Sequence, residues 1–302
     1  MTIGEAIKLG TNRLIEADVP DASHDAGELL RNVLGIPEYK LLGSLGDELS
    51  EEKAYFHAIE RRAGRVPLQH ITGVQEFMGL PISVDERVLC PRLDTETLAT
   101  KVFDIIDGIY KNGGLFPTDN VVPIRHDLYF DREVRLLDMC TGSGCVAISA
   151  AHHGKQRGYN LKVTAVDASA DALDVARMNA KNNGVDISFL QGDLYEPLFG
   201  ESFYVITANP PYIPSEVIPR LMPEVRDHEP HIALDGGEDG LLYYHRITED
   251  AHRYLVSGGW LLYEIGFNQG QDVYAIMEDA GFLDIQIIKD LAGDDRVVCG
   301  HL

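Results

Sequence analysis

Val134-Arg-Leu-Leu-Asp-Met-Cys-Thr-Gly-Ser-Gly144 decides the fold. Val134–Met139 is a mostly apolar run of strand length, the next five residues carry two glycines and two hydroxyls, and Cys145–His152 opens a helix. Strand, glycine loop and helix in that order predict a βα unit of an open α/β sheet. In such a sheet a nucleotide-like ligand binds beyond the carboxyl end of the first strand, where the loop backbone lets it approach closely and the next helix presents free N–H groups. A glycine turn that merely packs a helix onto a sheet has the same local pattern. Two features separate this loop from a dinucleotide fingerprint: no third glycine follows Gly144 at the expected spacing, and an acid, Asp138, stands before the loop.

Downstream of this unit the alternation continues. Leu161–Val166 reads as a strand, Ala170–Asn182 as a helix with Leu173, Ala176 and Ala180 on one side, and Ile187–Leu190 and Tyr204–Ala208 as strands. Gly240–Leu255 reads as a helix, Trp260–Ile265 as a strand, and Val273, Ile276, Met277 and Ala280 lie at helical spacing. Ile285–Ile288 and Arg296–Cys299 have no helix between them, which predicts a terminal antiparallel hairpin. Repeated β-α-β order predicts a Rossmann-like α/β domain over 95–302, its sheet mostly parallel and covered on both faces. Upstream, Ile3, Ala6, Ile7, Gly10 and Leu14 form one helical stripe, Ala26, Leu29, Leu30 and Val33 a second, and Tyr55, Ile59 and Ala63 a third. These predict a small helical bundle over 1–66, with Ser50 before Glu51 and Glu52 as one helix start. Residues 67–94 read as a hairpin linker, with Glu76–Met78 and Ile82–Val84 flanking Gly79-Leu80-Pro81. A helix follows over about 95–109, and 110–133 reads as a long loop.

Composition narrows the function. In 302 residues, 48 acids against 26 basic residues give a formal charge of −22. Binding that depends on neutralising phosphates needs a cationic face, so stable nucleic-acid binding is not expected. Cys90, Cys140, Cys145 and Cys299 form no C-x-x-C pair and no zinc spacing, and free thiols in a reducing compartment are expected. His152-His153 and His228–His231 lack the companion acids or cysteines of a metal site, so no metal is expected. The amino terminus, MTIGEAIKLG, has no signal-peptide core, and no run of eighteen apolar residues occurs. A cytoplasmic monomer is the expectation.

Three further strand tips carry candidate chemistry. Asp167 ends the second strand of the α/β domain, where a carboxylate accepts hydrogen bonds from both ribose hydroxyls of a nucleoside. Asp193, in Gly192-Asp193-Leu194, is placed to meet an adenine edge, with Leu194 under the ring. Taken singly, each acid is more often a helix cap or a solvated loop residue; three successive strand tips on one crevice favour the cofactor reading. Asn209-Pro210-Pro211-Tyr212 follows the fourth strand, and its two prolines stiffen the backbone and remove two N–H donors. A planar NH₂ group donates there to the Asn209 amide oxygen and the Pro210 carbonyl while stacking on Tyr212. Such a site selects an amide or an aromatic amine. Arg92 and Glu96 either gate the same pocket or pair with each other.

The glycine loop resembles the D-x-G-x-G-x-G loop of class I S-adenosylmethionine-dependent methyltransferases, departing from it at Cys140, where that pattern has glycine. Asn-Pro-Pro-Tyr resembles the signature of enzymes that methylate glutamine side chains or adenine N6. With Pro67–Gly73, Val88–Glu96, Val225–Gly240 and Asp295–Val298, nearly the whole chain is similar to the peptide-chain-release-factor glutamine methyltransferases (the PrmC/HemK family). The resemblance implies a seven-stranded class I methyltransferase domain and S-adenosylmethionine as cofactor. It implies methyl transfer to N5 of the glutamine in a release factor's Gly-Gly-Gln loop, with the amino-terminal helices holding the protein substrate. It assigns Cys140, Thr141, Gly142, Ser143, Gly144, Asp167, Asp193, Leu194 and Asn209 to the cofactor, and Asn209, Pro210, Pro211 and Tyr212 to the glutamine. A sister branch that methylates a ribosomal-protein glutamine also tends to carry cysteine at the first loop position and is an alternative. So, more remotely, is an adenine-N6 methyltransferase, and a non-catalytic module of the same fold is a third possibility.

Overall fold

The computed structural model describes residues 1–111 and 133–302, which divide into two compact units. The long-loop expectation for 110–133 falls mostly outside the described residues. Tyr110 and Lys111, which it included, continue a helix.

The first unit comprises Met1–Val74, Val84–Glu86 and Arg220–Glu229. Its helices are α1 (Ile3–Glu16), α2 (Ala22–Leu34), α3 (Glu38–Leu41), α4 (Glu52–Ala63) and α5 (Leu68–Thr72). Thr2 and Glu5 close a capping box at the start of α1, which satisfies two of the N–H groups that a helix leaves free. The three stripes converge as expected: Leu14, Leu29, Leu30, Tyr55 and Ile59 are fully or almost fully buried in one core. Ser50 is not a cap. α4 starts at Glu52 with Glu51 at the N-cap and no side-chain cap bond, so the acids act only through the helix dipole.

A segment distant in sequence completes this unit. The short helix α9 (Pro223–Arg226) brings Glu224 to Arg65, which donates Nε to Oε1 and Nη2 to Oε2, both at 2.7 Å. Arg62 donates Nε to Asp25 Oδ2 at 2.6 Å and Nη1 to Glu224 Oε1 at 3.0 Å. Arg62 and Asp25 are buried, so each charge relies on the others for the solvation it has lost.

The second unit comprises Gln75–Ser83, Arg87–Pro219 and Pro230–Leu302. A two-stranded hairpin, β1 (Val74–Phe77) and β2 (Leu80–Ser83), turns through Met78 and Gly79, both left-handed. The main sheet has seven strands: β3 (Val134–Met139), β4 (Leu161–Asp167), β5 (Ser188–Gln191), β6 (Phe203–Ala208), β7 (Leu255–Glu264), β8 (Leu283–Lys289) and β9 (Asp295–His301). Their order is β5-β4-β3-β6-β7-β9-β8, parallel through β7, with β9 antiparallel to both neighbours. The main helices are α6 (Thr95–Lys111), α7 (Cys145–Arg157), α8 (Ala170–Asn182), α10 (Leu242–Tyr254) and α11 (Gly270–Asp279). β3 and β6 lie centrally, with every residue but one buried in each, which is why both read as apolar runs.

Several element boundaries differ from expectation, those of β7 and α10 among them. β7 begins at Leu255, before the expected Trp260, and stops at Glu264. α10 begins at Leu242 rather than Gly240, because Gly240 is left-handed (φ +78°) and lies so close to the Tyr212 carbonyl oxygen that a Cβ would overlap it.

Candidate functional site

The parallel register puts the candidate residues at one level. Met139 pairs with Val166 on one side and Ala208 on the other, and Ala208 pairs with Tyr263. The next residues, Cys140, Asp167, Asn209 and Glu264, therefore stand at neighbouring strand tips. A cleft of about 1040 Å³, counted with its open mouth, lies here. Cys140 to Gly142, Ser143, Asp167, Asp193, Leu194, Asn209 and Pro211 all reach its wall. Gly144, Pro210 and Tyr212 do not.

Asp138 and Asp167 fold the glycine loop. Asp138 is buried and its Oδ2 accepts from Thr141 Oγ1 at 2.6 Å and Ala147 N at 3.2 Å, so it braces the turn from below. Burial pushes its carboxyl up to about 7, against the pull of those two donors. Asp167 Oδ2 accepts from Gly142 N at 2.8 Å and Oδ1 from Ser169 N at 2.9 Å. Burial raises this carboxyl too, and the backbone donors of Ser169 and Gly142 oppose it. The Ala168 backbone also donates to this carboxylate, which leaves it lone-pair capacity for a ribose hydroxyl.

The two glycines differ. Gly142 (φ +55°) has no atom within 4 Å of where a Cβ would stand, so its backbone faces open space. Gly144 (φ +82°) is tight: a Cβ would meet Ile148 Cδ1 at 3.0 Å and Ala176 Cβ at 3.1 Å. Gly144 thus seats α7 on α8, while Gly142 lines the cradle. The chain can therefore hold a nucleoside-bearing cofactor. Cys140 adopts φ +57°, the backbone a glycine would give, and its side chain packs against the core. Burial pushes its thiol well above the ordinary value, which keeps it protonated and unreactive. Asn179, fully buried, locks the loop by donating Nδ2 to Ser143 O at 3.0 Å while its Oδ1 accepts from Ser83 N at 2.8 Å.

At the far end, Leu194 (φ +53°) is buried, and Asp193 pairs through Oδ2 with Arg246 Nη2 at 2.8 Å. Tyr243, one turn before Arg246 on α10, also lines the cleft. Glu96 does not act as a gate: its Oε1 accepts from Met78 N at 2.7 Å and so caps the β1–β2 turn, whereas Arg92 reaches the cleft wall. His153 Nε2 sits 2.9 Å from Asp107 Oδ1 and His228 Nε2 sits 3.2 Å from Gly64 O, so both have local structural partners.

Sequence reasoning missed the support of the Asn209–Tyr212 turn. Gln269 is buried; its Oε1 accepts from Gly266 N at 2.9 Å and its Nε2 donates to Tyr212 O at 3.1 Å and Gly240 O at 3.2 Å. Ile213 N donates to Leu234 O and Gly236 N to Ile213 O, laying the 234–240 loop along the turn. A Cβ on Gly236 would come within 2.7 Å of Tyr212 Cα, so only glycine allows that approach. The Gly-Gly-x-x-Gly spacing at 236–240 was the available signal.

Comparison with known proteins follows the same division. Residues 5–73 match the family described as "PrmC N-terminal domain", and residues 125–221 match "Methyltransferase small domain". A "Release factor glutamine methyltransferase" of Geobacter sulfurreducens is 35% identical over 303 residues, covering 100% of this chain and 97% of that protein. One from Thermodesulfovibrio yellowstonii is 36% identical over 277 residues, covering 91% and 90%. Among solved structures, the hMettl16 catalytic domain in complex with the MAT2A 3'UTR hairpin 6 is 15% identical with a TM-score of 0.54, covering 80% of this chain and 81% of that one. That likeness concerns the fold alone.

Proposed function

This chain belongs to the release factor glutamine methyltransferases, and we propose that it methylates the side-chain amide nitrogen, N5, of the glutamine in the Gly-Gly-Gln loop of peptide chain release factors. The observation that carries this is that the tips of β4 and β6, on either side of β3, open on one cleft: the Asp167 cradle and the proline-stiffened Asn209 turn both reach its wall. The family's cofactor is S-adenosylmethionine; when bound, it supplies an electrophilic methyl carbon on a sulfonium.

The remaining work belongs to the protein. Asp167 would hold the ribose hydroxyls, Leu194 would contact the adenine, and the Cys140–Ser143 backbone would hold the rest of the cofactor. The Asn209 Oδ1, at the cleft wall, and the Pro210 carbonyl, beyond it, accept the two N–H bonds of the substrate carboxamide, which enters past the cofactor cleft so that Tyr212 packs on its plane. An amide nitrogen is a weak nucleophile because its lone pair is delocalised into the carbonyl. Two fixed acceptors favour the positive charge that grows on it, and they fix its direction of approach. The proton becomes acidic only after transfer, so no base is needed beforehand. The helices of residues 1–66 hold the protein substrate, and residues 67–94 link them to the catalytic domain at 95–302. The protein works in the cytoplasm as a monomer without stable nucleic-acid binding; no helix among the described residues is long and apolar enough to cross a membrane.

The test is to incubate the protein with isotope-labelled S-adenosylmethionine and purified release factors beside ribosomal proteins, then locate the label by mass spectrometry. Label on the Gly-Gly-Gln glutamine is expected. Label on a ribosomal protein alone would shift the assignment to the sister activity, and label on nucleic acid would overturn it.

A further inference from the structure

Asn209 has an oxygen and an NH₂ at opposite ends of one planar group, and the role given to it above requires the oxygen to face the substrate. Some neighbour must choose between the two orientations. Glu264 stands beside Asn209, one rung beyond the Ala208–Tyr263 pair, at the tip of β7. It is 1% exposed, and its carboxylate receives hydrogen bonds from the side chains of Thr95 and Asn209. Its Oε2 is buried with no hydrogen-bond partner among the described residues. Tyr244 Oη donates to its backbone carbonyl at 2.9 Å, which pins the strand end.

An ionised carboxylate only accepts, so the end of Asn209 that meets Glu264 is the NH₂. We propose that Glu264 is a positioning residue that holds Asn209 by Nδ2 and thereby keeps Oδ1 turned to the substrate carboxamide. This rests on the function proposed above. With the amide turned over, Asn209 would present a donor to a donor, and the substrate nitrogen would lose the acceptor that stabilises its growing charge.

The proposal has a signature that simple packing lacks. Charged and titratable groups face Glu264 from several elements: Arg296 on β9, Asp94 before α6, Tyr212 after β6, Tyr244 on α10 and Cys145 at the start of α7. Burial, opposed by Thr95, Arg296 and Asn209, pushes the carboxyl up to about 7. The ionised form is the orienting one. Below that pH the carboxyl gains an O–H that draws Asn209 Oδ1 toward itself, and turnover falls as the solution is acidified.

The experiment pairs kinetics with a readout that needs neither cofactor nor substrate. In Glu264→Ala, kcat for release-factor methylation should fall about 10- to 100-fold, with KM for the release factor little changed. In Glu264→Gln the acid limb of kcat should disappear, because a carboxamide does not titrate. The wild-type protein labelled with ¹⁵N-asparagine should show an Asn209 side-chain NH₂ resonance, identified by its loss in Asn209→Ser, that shifts with a midpoint near 7. That shift should be absent in Glu264→Gln. An Asn209 resonance flat across this range in the wild type, or an unchanged acid limb in Glu264→Gln, overturns the proposal, even if Glu264→Ala fails to fold. If the resonance titrates but the wild type transfers no methyl to a release factor, the contact stands and the function proposed above is what fails.

Discussion

Replacing Asp167 by Asn tests the cofactor cradle at the atom where it is most heavily used. The carboxylate accepts Gly142 N at 2.8 Å and Ser169 N at 2.9 Å. The isosteric amide has only one oxygen, so one of those N–H groups faces an NH₂ instead. A hydrogen bond to a charged group is worth about 1.5–3 kcal/mol. Burial already disfavours the ionised carboxyl here, so removing the charge returns part of that, and the loss of folding stability should sit near the low end, about 1.5 kcal/mol. Cofactor affinity should suffer more, because the same atom loses an acceptor for a ribose hydroxyl and the Gly142 backbone shifts with it. At 1.4 kcal/mol per tenfold, a weakening of about 10- to 100-fold in Kd follows. Calorimetric titration with S-adenosylmethionine, beside urea unfolding of the same preparation, separates the two effects. A Kd within a factor of two of the wild type would refute the role given to Asp167.

Gly144→Ala should destabilise the fold more than Gly142→Ala: both force a left-handed alanine, at about 1–2 kcal/mol, but only Gly144 adds contacts with Ile148 and Ala176. Denaturant midpoints decide it, and equal losses would mean that the helix packing is more yielding than it looks. Arg62→Ala strands Asp25 and weakens the hold on Glu224, so a loss of about 3–5 kcal/mol in urea unfolding is expected, and one below about 1 kcal/mol would show the network to be energetically idle. Although burial pushes the Glu224 carboxyl up, hydrogen bonds from Arg65 and Arg62 hold it below its ordinary value of 4.5. A lowered carboxyl stabilises the fold above the unfolded value and loses that contribution as pH falls through the folded one. The stability gap between wild type and Glu224→Gln should therefore be widest near neutrality and close below pH 4.5; a gap constant down to pH 3 would contradict this.

The sheet was legible because its inner strands are buried on both faces: Val134–Met139 begins and ends in the structure where its sequence pattern does. Ala170–Asn182 matched as well, since Ser169 caps it by accepting from Ala172 N and Asn183 ends it. The terminal hairpin was legible as two strands without a helix. Its insertion order was not, because which edge of β7 receives β9 depends on partners distant in the chain. Local cues failed where a long-range contact overrode them: Gly240 leaves the helix to pass Tyr212, and Glu224 joins the amino-terminal unit through arginines 159 and 162 residues away. The glycine loop, Asp167 and Asn209 could be read as a site because short motifs at strand tips carry them. Gln269 and Glu264 could not, since each acts by touching a turn more than fifty residues earlier.

The most direct measurement is single-turnover methylation of a purified release factor by Asn209→Ala at saturating S-adenosylmethionine, with cofactor affinity measured on the same sample. Removing one preorganised polar partner should slow transfer by about 10²–10³-fold while the cofactor Kd stays close to that of the wild type. Transfer at the wild-type rate would contradict the claim that the Asn209 oxygen grips the glutamine carboxamide.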